Sequence, residues 1–410
     1  MSVIDRPQYL RKLDAWKDHD VVKVITGVRR CGKSTLMTLW KQRLIERYGV
    51  APEAIIHINL ELLQNEQFLE YHKLHEEILR RCALANSTTS DRRYVLIDEI
   101  QNVPDFQKTL DSLQARGDLD LYITDSNAML LSGTLATLIS GRYVEISMMP
   151  LSFAEYWNAR SDEGLTMQRA WSEYLHDGAL PATVGFPGDA TMLHDYLDGI
   201  LNTVLFKDVA ARLGVSNIAS LDTVTRYLFD NIGNLVNPKS IADTMTSMGT
   251  KISPPTVSNY VEGLTAAFIF YPVQRFDIKG KRALRQERKY YAVDLGIRRI
   301  LCSNNVRDTG RLLENVVFLE LMRREGDVFV GQGSGGEIDF ITNGVNGRRY
   351  YQVSESVRDP NTLERELSSL RAVKDNYPKI LITLDDERPT SHEGIEQVYA
   401  LDWLLNEENI

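Results

Sequence analysis

Cysteine is scarce in this 410-residue chain: only Cys31, Cys82 and Cys302 occur, and they lie far apart. An odd number of distant cysteines does not make a disulfide framework and is typical of a reducing compartment. No Cys/His cluster has the spacing of zinc ligands. These observations argue against a disulfide-rich secreted protein and against a zinc protein.

Long apolar runs are also missing. The longest, Leu264–Val273, is about half the roughly 20 residues that a membrane-spanning helix needs. Residues 1–20 are rich in charge and lack the apolar core of a signal peptide. We therefore expect a cytoplasmic protein without a membrane partner.

The chain has no excess of positive charge: 47 Lys and Arg residues stand against 56 Asp and Glu residues, a net charge of −9. A protein that coats nucleic acid over its whole surface would not carry this balance. Any contact with DNA or RNA must therefore come from a local basic patch. A hydrophobic fraction of 43% is ordinary for globular proteins, and the length favours two or three domains.

Apolar segments alternate with amphipathic ones over the first 150 residues. Strands are predicted at Val21–Thr26, Ala54–Asn59, Tyr94–Asp98, Leu119–Thr124 and Tyr143–Met148, and helices include Ser34–Tyr48 and Phe106–Ala115. Strand–helix alternation predicts an α/β fold, with a parallel sheet covered by helices on both faces.

A glycine-rich loop follows the first predicted strand. Residues 27–34 match G-x-x-x-x-G-K-[ST] and open a helix. In such a loop, glycines let backbone N–H groups approach phosphates, and the helix N-terminus adds positive potential. Lys33 is predicted to reach the β- and γ-phosphates of ATP, and the Ser34 hydroxyl to bind Mg²⁺. The predicted nucleotide-binding residues are Gly27, Arg29, Arg30, Cys31, Gly32, Lys33, Ser34, Thr35 and Ser126.

A buried strand ends in two acids, Asp98 and Glu99, about 65 residues after the loop. Asp98 is predicted to hold Mg²⁺ through its coordination shell, and Glu99 to polarise the attacking water. Lys33, Asp98 and Glu99 together predict an ATPase, with ATP and Mg²⁺ as cofactors.

Two further positions have two interpretations each. Ser126, after the fourth predicted strand, is either a sensor of the γ-phosphate or part of a helix N-cap. Arg142 follows a predicted helix, Ala128–Ser140. It either stabilises transition-state charge, in its own chain or in a neighbouring subunit, or is a plain surface arginine. Action in a neighbouring subunit would require a homo-oligomer.

Residues 20–155 resemble the AAA+-type P-loop ATPases of bacteria and archaea. Beyond the loop and the acids, the resemblance rests on Leu138-Ile139-Ser140-Gly141-Arg142-Tyr143 and Pro150-Leu151-Ser152-Phe153. It implies an additional-strand ATPase core with Glu99 as the catalytic base, and it favours Arg142 as an arginine finger. One departure is Asp125, which stands where the family has glycine and puts an acid near the phosphates.

A basic stretch interrupts the acidic average in the second half. Arg275–Lys289 contains seven basic and two acidic residues. Two short predicted helices and a strand precede it, and a second strand begins at Lys289. This order predicts a winged helix that contacts DNA or RNA, with a lid or protein-docking module as the alternative. The predicted nucleic-acid contacts are Lys279, Lys281, Arg282 and Arg285.

The C-terminal pattern resembles the PD-(D/E)XK nuclease fold, in which the ATPase family commonly ends: Glu314 lies on a helix, and a hairpin follows. In an active nuclease an Asp and a Glu bind the metal, and a Lys activates water. Asp339 matches the first acid, but Gln352 and Ser354 stand in place of the Glu and the Lys. The resemblance implies an inactive nuclease-like domain kept for binding or assembly.

The predicted domains are an ATPase domain (1–155), a helical connector or lid (156–234), a winged helix (235–290) and a nuclease-like α/β domain (291–410). The leading hypothesis is a Mg²⁺-dependent ATPase that couples hydrolysis to remodelling of nucleic acid or protein. The second is a slow nucleotide-dependent switch that binds a protein partner. The third is an ATP-driven, metal-dependent nuclease.

Overall fold

A computed structural model of the chain describes residues 3–85, 92–128, 142–215, 217–280, 282–302, 309–344 and 347–406. The chain divides into two compact units, Met1–Met148 with Ala266–Phe268 and Met149–Thr265 with Ile269–Ile410. The predicted boundary near residue 155 is close to the end of the first unit. The boundaries near 235 and 290 fall inside the second unit, and these finer divisions remain predictions.

Strands and helices alternate along the first unit. Its elements are α1 (Pro7–Trp16), β1 (Val22–Thr26), α2 (Lys33–Glu46), β2 (Ile55–Asn59), α3 (Tyr71–Ala85), β3 (Arg93–Asp98), α4 (Phe106–Gln114), β4 (Leu119–Asp125) and β5 (Tyr143–Ser147), with short 3₁₀ turns at Pro52–Ala54, Leu63–Phe68 and Ile100–Asn102. The five predicted strands are confirmed to within one residue at each end. The predicted helix Ala128–Ser140 lies, apart from its first residue, outside the described residues.

All strands of this sheet are parallel, in the order β2-β3-β4-β1-β5. Side chains alternate between the two faces of a strand. Val22 and Val24 pack in one core with residues of α3 and α4. On the other face, Trp40 of α2 contacts Tyr122 of β4, with ring centroids 5.6 Å apart. Helices thus cover both faces, which confirms the predicted fold class of the P-loop NTPases.

The strand order determines which loops meet. β4 lies between β1 and β3, as the additional-strand core predicts. Because the strands are parallel, their carboxyl ends lie at one edge of the sheet. The glycine-rich loop after β1, the acids after β3 and the polar residues that end β4 therefore share this edge.

Helices come first in the second unit, and most of its strands follow later. Its elements are α5 (Phe153–Ala159), α6 (Met167–Asp177), α7 (Ala190–Thr203), a π-helical segment (Val204–Ala210), α8 (Ile218–Asp230), β6 (Leu235–Val236), α9 (Pro238–Ser247), α10 (Pro254–Ala266), β7 (Phe270–Asp277), β8 (Arg282–Ala292), α11 (Leu295–Leu301), α12 (Thr309–Arg324), β9 (Val328–Gly333), β10 (Gly336–Gly344), β11 (Gly347–Ser354), α13 (Pro360–Arg371), β12 (Lys379–Thr383), β13 (Thr390–His392), β14 (Ile395–Tyr399) and α14 (Ala400–Leu405). Within the described parts of the chain, no helix combines the length and apolar character needed to cross a bilayer.

The strands of the second unit form one nine-stranded sheet, in the order β13-β14-β12-β11-β10-β9-β7-β8-β6. The sequence pattern placed the start of β8 at Lys289, but the strand begins at Arg282 because residues 282–284 also pair with β7 beyond a register shift. β7 in turn pairs in parallel with β9. The hairpin of the predicted winged helix and the strands of the predicted nuclease-like domain therefore belong to the same sheet.

Candidate active site

The loop between β1 and α2 uses backbone conformations that few residues adopt. Gly27 has φ +150°, and Gly32, the N-cap residue of α2, has φ +106°. Arg30 has φ +69° although it carries a side chain. Left-handed conformations cost little at glycine and more at other residues. The two glycines of the motif thus stand where the backbone requires them.

A side chain at Gly27 would collide with the backbone. An added Cβ would lie 2.1 Å from the carbonyl oxygen of Met148. We expect the loop of Gly27→Ala to move away from this collision, and binding of a nucleotide must then restore a shape that is strained by about 1–3 kcal/mol. This cost corresponds to a loss of nucleotide affinity of roughly 5- to 150-fold. Titration with a fluorescent ATP analogue measures this loss.

Gly49→Ala is the matched control for this substitution. Gly49 also has a positive φ, +64°, but an added Cβ would meet no atom within 4 Å. We expect its nucleotide affinity to equal that of the wild type. An unchanged affinity in Gly27→Ala would contradict a role for this loop in binding.

The Lys33 ammonium lies inside the loop. It donates hydrogen bonds to the carbonyl oxygens of Gly27 (2.9 Å) and Val28 (3.3 Å). Its Nζ atom is 3.9 Å from Oε1 of Glu99, and both side chains are buried. The cation of the loop and the second acid of β3 are thus neighbours, as their predicted roles require.

Asp98 ends β3 with both carboxylate oxygens engaged. Oδ1 accepts a hydrogen bond from the Thr124 hydroxyl, and Oδ2 accepts one from the Asn59 amide at 3.3 Å. A carboxylate can accept about four hydrogen bonds, so further acceptor positions remain. Hydroxyl and carboxylate oxygens are hard ligands. Ser34, exposed in the first turn of α2, and Asp98 therefore fit Mg²⁺ as a donor set.

Glu99 is held by three groups in a left-handed backbone conformation, φ 58°. Its N–H donates to the Thr124 hydroxyl at 2.8 Å. Its carboxylate contacts Lys33 and accepts a hydrogen bond from the Gln101 amide. The same amide lies 3.3 Å from the Ser126 hydroxyl. Gln101 thereby links the predicted base to the predicted sensor.

The other predicted nucleotide-binding residues lie in the loop or in the first turn of α2. Arg30 and Thr35 are exposed, and Arg29 forms a 3.1 Å ion pair with Glu61. The Cys31 thiol is fully buried, and burial raises its pKa. Burial and the raised pKa disfavour a thiolate at Cys31, so any contact with a nucleotide would come from its backbone.

Asp125 and Ser126 are both buried. The Asp125 carboxylate accepts a hydrogen bond from the Asn127 N–H at 3.0 Å. This contact within the turn gives the unexpected acid a local role after β4. The N-cap interpretation of Ser126 concerns a helix beyond residue 128, which lies outside the described residues.

Arg142 does not lie at the edge of the sheet that carries the loop. It precedes β5, and its carbonyl oxygen accepts a hydrogen bond from the Val22 N–H at 2.9 Å. Tyr143 pairs with Val22 at the start of β1, whereas the loop follows the end of β1. At about 3.3 Å per residue, the strand separates Arg142 from the loop by roughly 17 Å. This placement disfavours action of Arg142 in its own chain, and its role stays a prediction.

Three polar residues of this site escaped the sequence analysis: Asn59, Gln101 and Thr124. Asn59 ends β2 and pairs with Asp98 in the register of the sheet. A polar residue at the carboxyl end of a parallel strand was a usable indication for Asn59. Thr124 ends its predicted strand in the same way, but threonine is common in strands. Gln101 carried no indication, because a glutamine in a turn is ordinary.

The turn of the basic hairpin is partly described. Lys279 is exposed, and Arg275 is paired with Glu287 at 3.3 Å. Lys281 and the side chains of Arg282 and Arg285 lie outside the described residues. The predicted nucleic-acid contacts therefore remain predictions.

The predicted nuclease-like positions meet in the second unit. Asp339 accepts a hydrogen bond from the Val353 N–H at 2.8 Å. The Gln352 amide donates to Glu366 at 2.8 Å. The Ser354 hydroxyl donates to the Ser356 carbonyl at 3.2 Å, and, unlike a lysine, it is neutral. Among the described residues, no group of three or more His, Cys, Asp or Glu side chains is arranged to hold a metal ion.

A lysine from another strand lies in this cluster, and sequence analysis did not find it. Lys289 of β8 is 3.1 Å from Glu314 and 2.9 Å from Glu337. Burial lowers the pKa of Lys289, but the carboxylates of Glu314, Asp339 and Glu337 outweigh it and raise that pKa. Burial and the neighbouring Glu314 raise the pKa of Asp339 well above its usual range.

Two family profiles match the chain. An AAA domain matches residues 19–157, and a domain of unknown function (DUF8612) matches residues 168–308. Among solved structures, the Aeropyrum pernix Orc1 protein in complex with DNA is 14% identical, with 73% of this chain and 92% of that chain covered and a TM-score of 0.32. The Bacillus subtilis clamp loader delta protein is 13% identical, with 63% and 87% covered and a TM-score of 0.27. These similarities are too distant to bear on function.

Whole-length relatives are closer. An uncharacterized protein of Methanocaldococcus jannaschii is 29% identical over 387 residues, with 89% of this chain and 82% of that protein covered. An uncharacterized protein of Haemophilus influenzae is 39% identical over 406 residues, with 98% of this chain and 99% of that protein covered. The chain therefore belongs to the same family as the Haemophilus influenzae protein, and it carries an AAA domain with the P-loop NTPase fold at residues 19–157.

Proposed function

We propose that this chain is a Mg²⁺-dependent ATPase. One observation carries the proposal: Lys33 of the loop lies 3.9 Å from Glu99, and Asp98 directly precedes Glu99. The phosphate-binding cation, the magnesium-binding acid and the general base of a phosphoryl-transfer site therefore share one edge of the sheet. Burial of these three charged side chains costs free energy, and a phosphoryl-transfer site gives a reason for that cost.

The reaction follows from these positions. Ser34 and Asp98 would hold the Mg²⁺ that accompanies ATP, and the ion would neutralise charge on the phosphates. Lys33 leaves the carbonyl oxygens of its own loop and neutralises charge on the β- and γ-phosphates. Glu99 accepts a proton from water as the water oxygen bonds to the γ-phosphorus. The bond from that phosphorus to the β-phosphate oxygen breaks, and ADP and phosphate leave.

We further propose that the nucleotide cycle acts on nucleic acid through the second unit. In chain order, helix α8, the short strand β6, helices α9 and α10 and the hairpin β7-β8 follow one another, and β6 pairs with β8. This order supports the winged-helix hypothesis. Lys279 is exposed at the turn of the hairpin, where a wing touches phosphates.

The test measures phosphate release with and without duplex, single-stranded and branched DNA. We expect one of these to stimulate ATP hydrolysis. In the variant Lys279→Glu/Lys281→Glu, the slope of log affinity against log salt should fall by about two. Lys374→Glu, the same change at an exposed lysine after α13, is the control. An unchanged slope in the double variant would contradict contact between the hairpin and nucleic acid and would favour a protein partner.

A slow nucleotide-dependent switch is the second candidate function. It is favoured by the contacts of Glu99, because Gln101 and Lys33 both hold its carboxylate. A base held in this way turns over slowly until binding of a partner rearranges it. Fast multiple turnover by the purified protein alone would exclude the switch.

A further inference from the structure

Carboxylates from two elements of the second unit point at one lysine. Glu314 lies on α12, and Glu337 and Asp339 lie on β10. Oε1 of Glu314 is 3.1 Å and Oε1 of Glu337 is 2.9 Å from Nζ of Lys289. The lysine side chain is only 6% exposed. The two oxygens thus converge on a point that is already occupied by a positive charge.

The side chains of the cluster that could bind a metal ion also form hydrogen bonds with other residues. Glu314 Oε1 also accepts a 2.6 Å hydrogen bond from the Tyr291 hydroxyl. Gln352, at the place of the second acid, donates its amide to Glu366 and accepts from Ser369 at 3.3 Å. A neutral amide in this position contributes no charge to a metal ion. The residues present therefore do not fit the divalent cation of a PD-(D/E)XK centre.

The ammonium group stabilises the acids that surround it. The side chains of Glu314 and Glu337 are partly buried, 16% and 35% exposed, and withdrawing a carboxylate from water is costly unless it is paired. A lysine is a compact point charge with three donors, so one side chain satisfies two carboxylates at once. Lys289 comes from β8, the return strand of the basic hairpin, and its ion pairs also fasten that hairpin to α12 and β10.

We propose that Lys289 is an internal cation that takes the place of a divalent metal in the nuclease-like cluster, and thereby keeps this part of the chain metal-independent. The proposal goes beyond the ATPase function and does not rest on it. It implies that removal of the ammonium leaves carboxylates that a divalent cation can bridge.

The experiment compares thermal unfolding of the full-length wild type and Lys289→Met in Mn²⁺, without nucleotide. We expect the midpoint temperature of wild-type unfolding to be the same with and without Mn²⁺. Lys289→Met should unfold at a lower temperature and recover by about 5–10 °C at saturating Mn²⁺. Lys289→Arg, which keeps the charge, should show no recovery. Lys289→Met/Asp339→Asn, which lacks one carboxylate, should recover less than Lys289→Met.

Two results would overturn the proposal. One is Mn²⁺ binding by the wild type in equilibrium dialysis that Asp339→Asn abolishes. The other is a Lys289→Met protein whose midpoint responds to Mn²⁺ no more than the wild type does. If Lys289→Met precipitates, refolding with and without Mn²⁺ replaces the melt. Recovery only with Mn²⁺ supports the proposal, and equal loss in both buffers refutes it.

Discussion

Replacement of Glu99 by glutamine is expected to lower the rate of ATP hydrolysis by about 10²- to 10⁴-fold, the range that a general base contributes. Glutamine has nearly the same shape as glutamate but cannot accept the proton of the attacking water. Lys33, Ser34 and Asp98 are unchanged in this variant, so magnesium–ATP should still bind. Steady-state phosphate release measures the rate, and titration with a fluorescent ATP analogue measures the affinity.

Comparison of Lys33→Ala with Glu99→Gln separates nucleotide binding from the chemical step. Loss of the ammonium removes the charge that meets the phosphates, so affinity and rate should both fall. Glu99→Gln should lose the rate alone. Equal rates of phosphate release in the wild type, Lys33→Ala and Glu99→Gln would refute the ATPase proposal, because the proposed reaction needs both of these side chains.

The hydrogen bond between Gln101 and Glu99 bears on how the base becomes active. In the structure its amide binds the Glu99 carboxylate and lies near the Ser126 hydroxyl. For hydrolysis the carboxylate must face a water molecule instead of this amide. The contacts of Glu99 thus describe a base that is close to the loop but does not yet face a water molecule. They are compatible with the ATPase hypothesis and with the slow switch, and the rate of phosphate release distinguishes the two.

The first unit was predictable because its determinants are local. Each strand is a short apolar run, the loop is a contiguous motif, Asp98 ends its strand and Glu99 directly follows it. In a parallel sheet these local features suffice to bring the residues together, since all carboxyl ends share an edge. Asn59 obeys the same rule and was overlooked only because a single asparagine is a weak pattern.

The second unit depends on pairings between distant residues. Lys289 meets Glu337 across 48 positions, and no spacing rule predicts such a contact. The parallel pairing of β7 with β9 likewise joins two segments that the sequence pattern had assigned to separate domains. Sequence periodicity predicts a strand but not its neighbour, so the helices and strands were found and their common sheet was not.

The sheet topology bears on whether Arg142 acts in its own chain or in a neighbouring subunit. The side chain is exposed at the edge of the sheet opposite to the loop of its own chain. An arginine so placed is either a plain surface residue or, as the family resemblance favours, a group that stabilises a γ-phosphate in another subunit. We therefore predict that Arg142→Ala lowers hydrolysis in the assembled protein by about 10³-fold or more, within the range known for arginine fingers.

The requirement for a neighbour has two measurable consequences. Hydrolysis per subunit should rise with protein concentration in the wild type and stay flat in Arg142→Ala. Nucleotide affinity of the isolated subunit should be the same in both, because Arg142 is remote from its own loop. Arg142→Lys keeps the charge but not the two-pronged donor geometry, so we expect it to recover only part of the lost rate.

A mixing experiment tests the trans role of Arg142 directly. Arg142→Ala has an intact loop and base but no finger to lend, whereas Glu99→Gln has an intact finger but no base. Each variant alone should be nearly inactive. In mixed assemblies the Arg142 of a Glu99→Gln subunit reaches the intact site of an Arg142→Ala subunit, so activity should return in proportion to the number of such contacts. An inactive mixture whose variants still co-assemble, or a wild-type rate in Arg142→Ala alone, would show that Arg142 is not the finger.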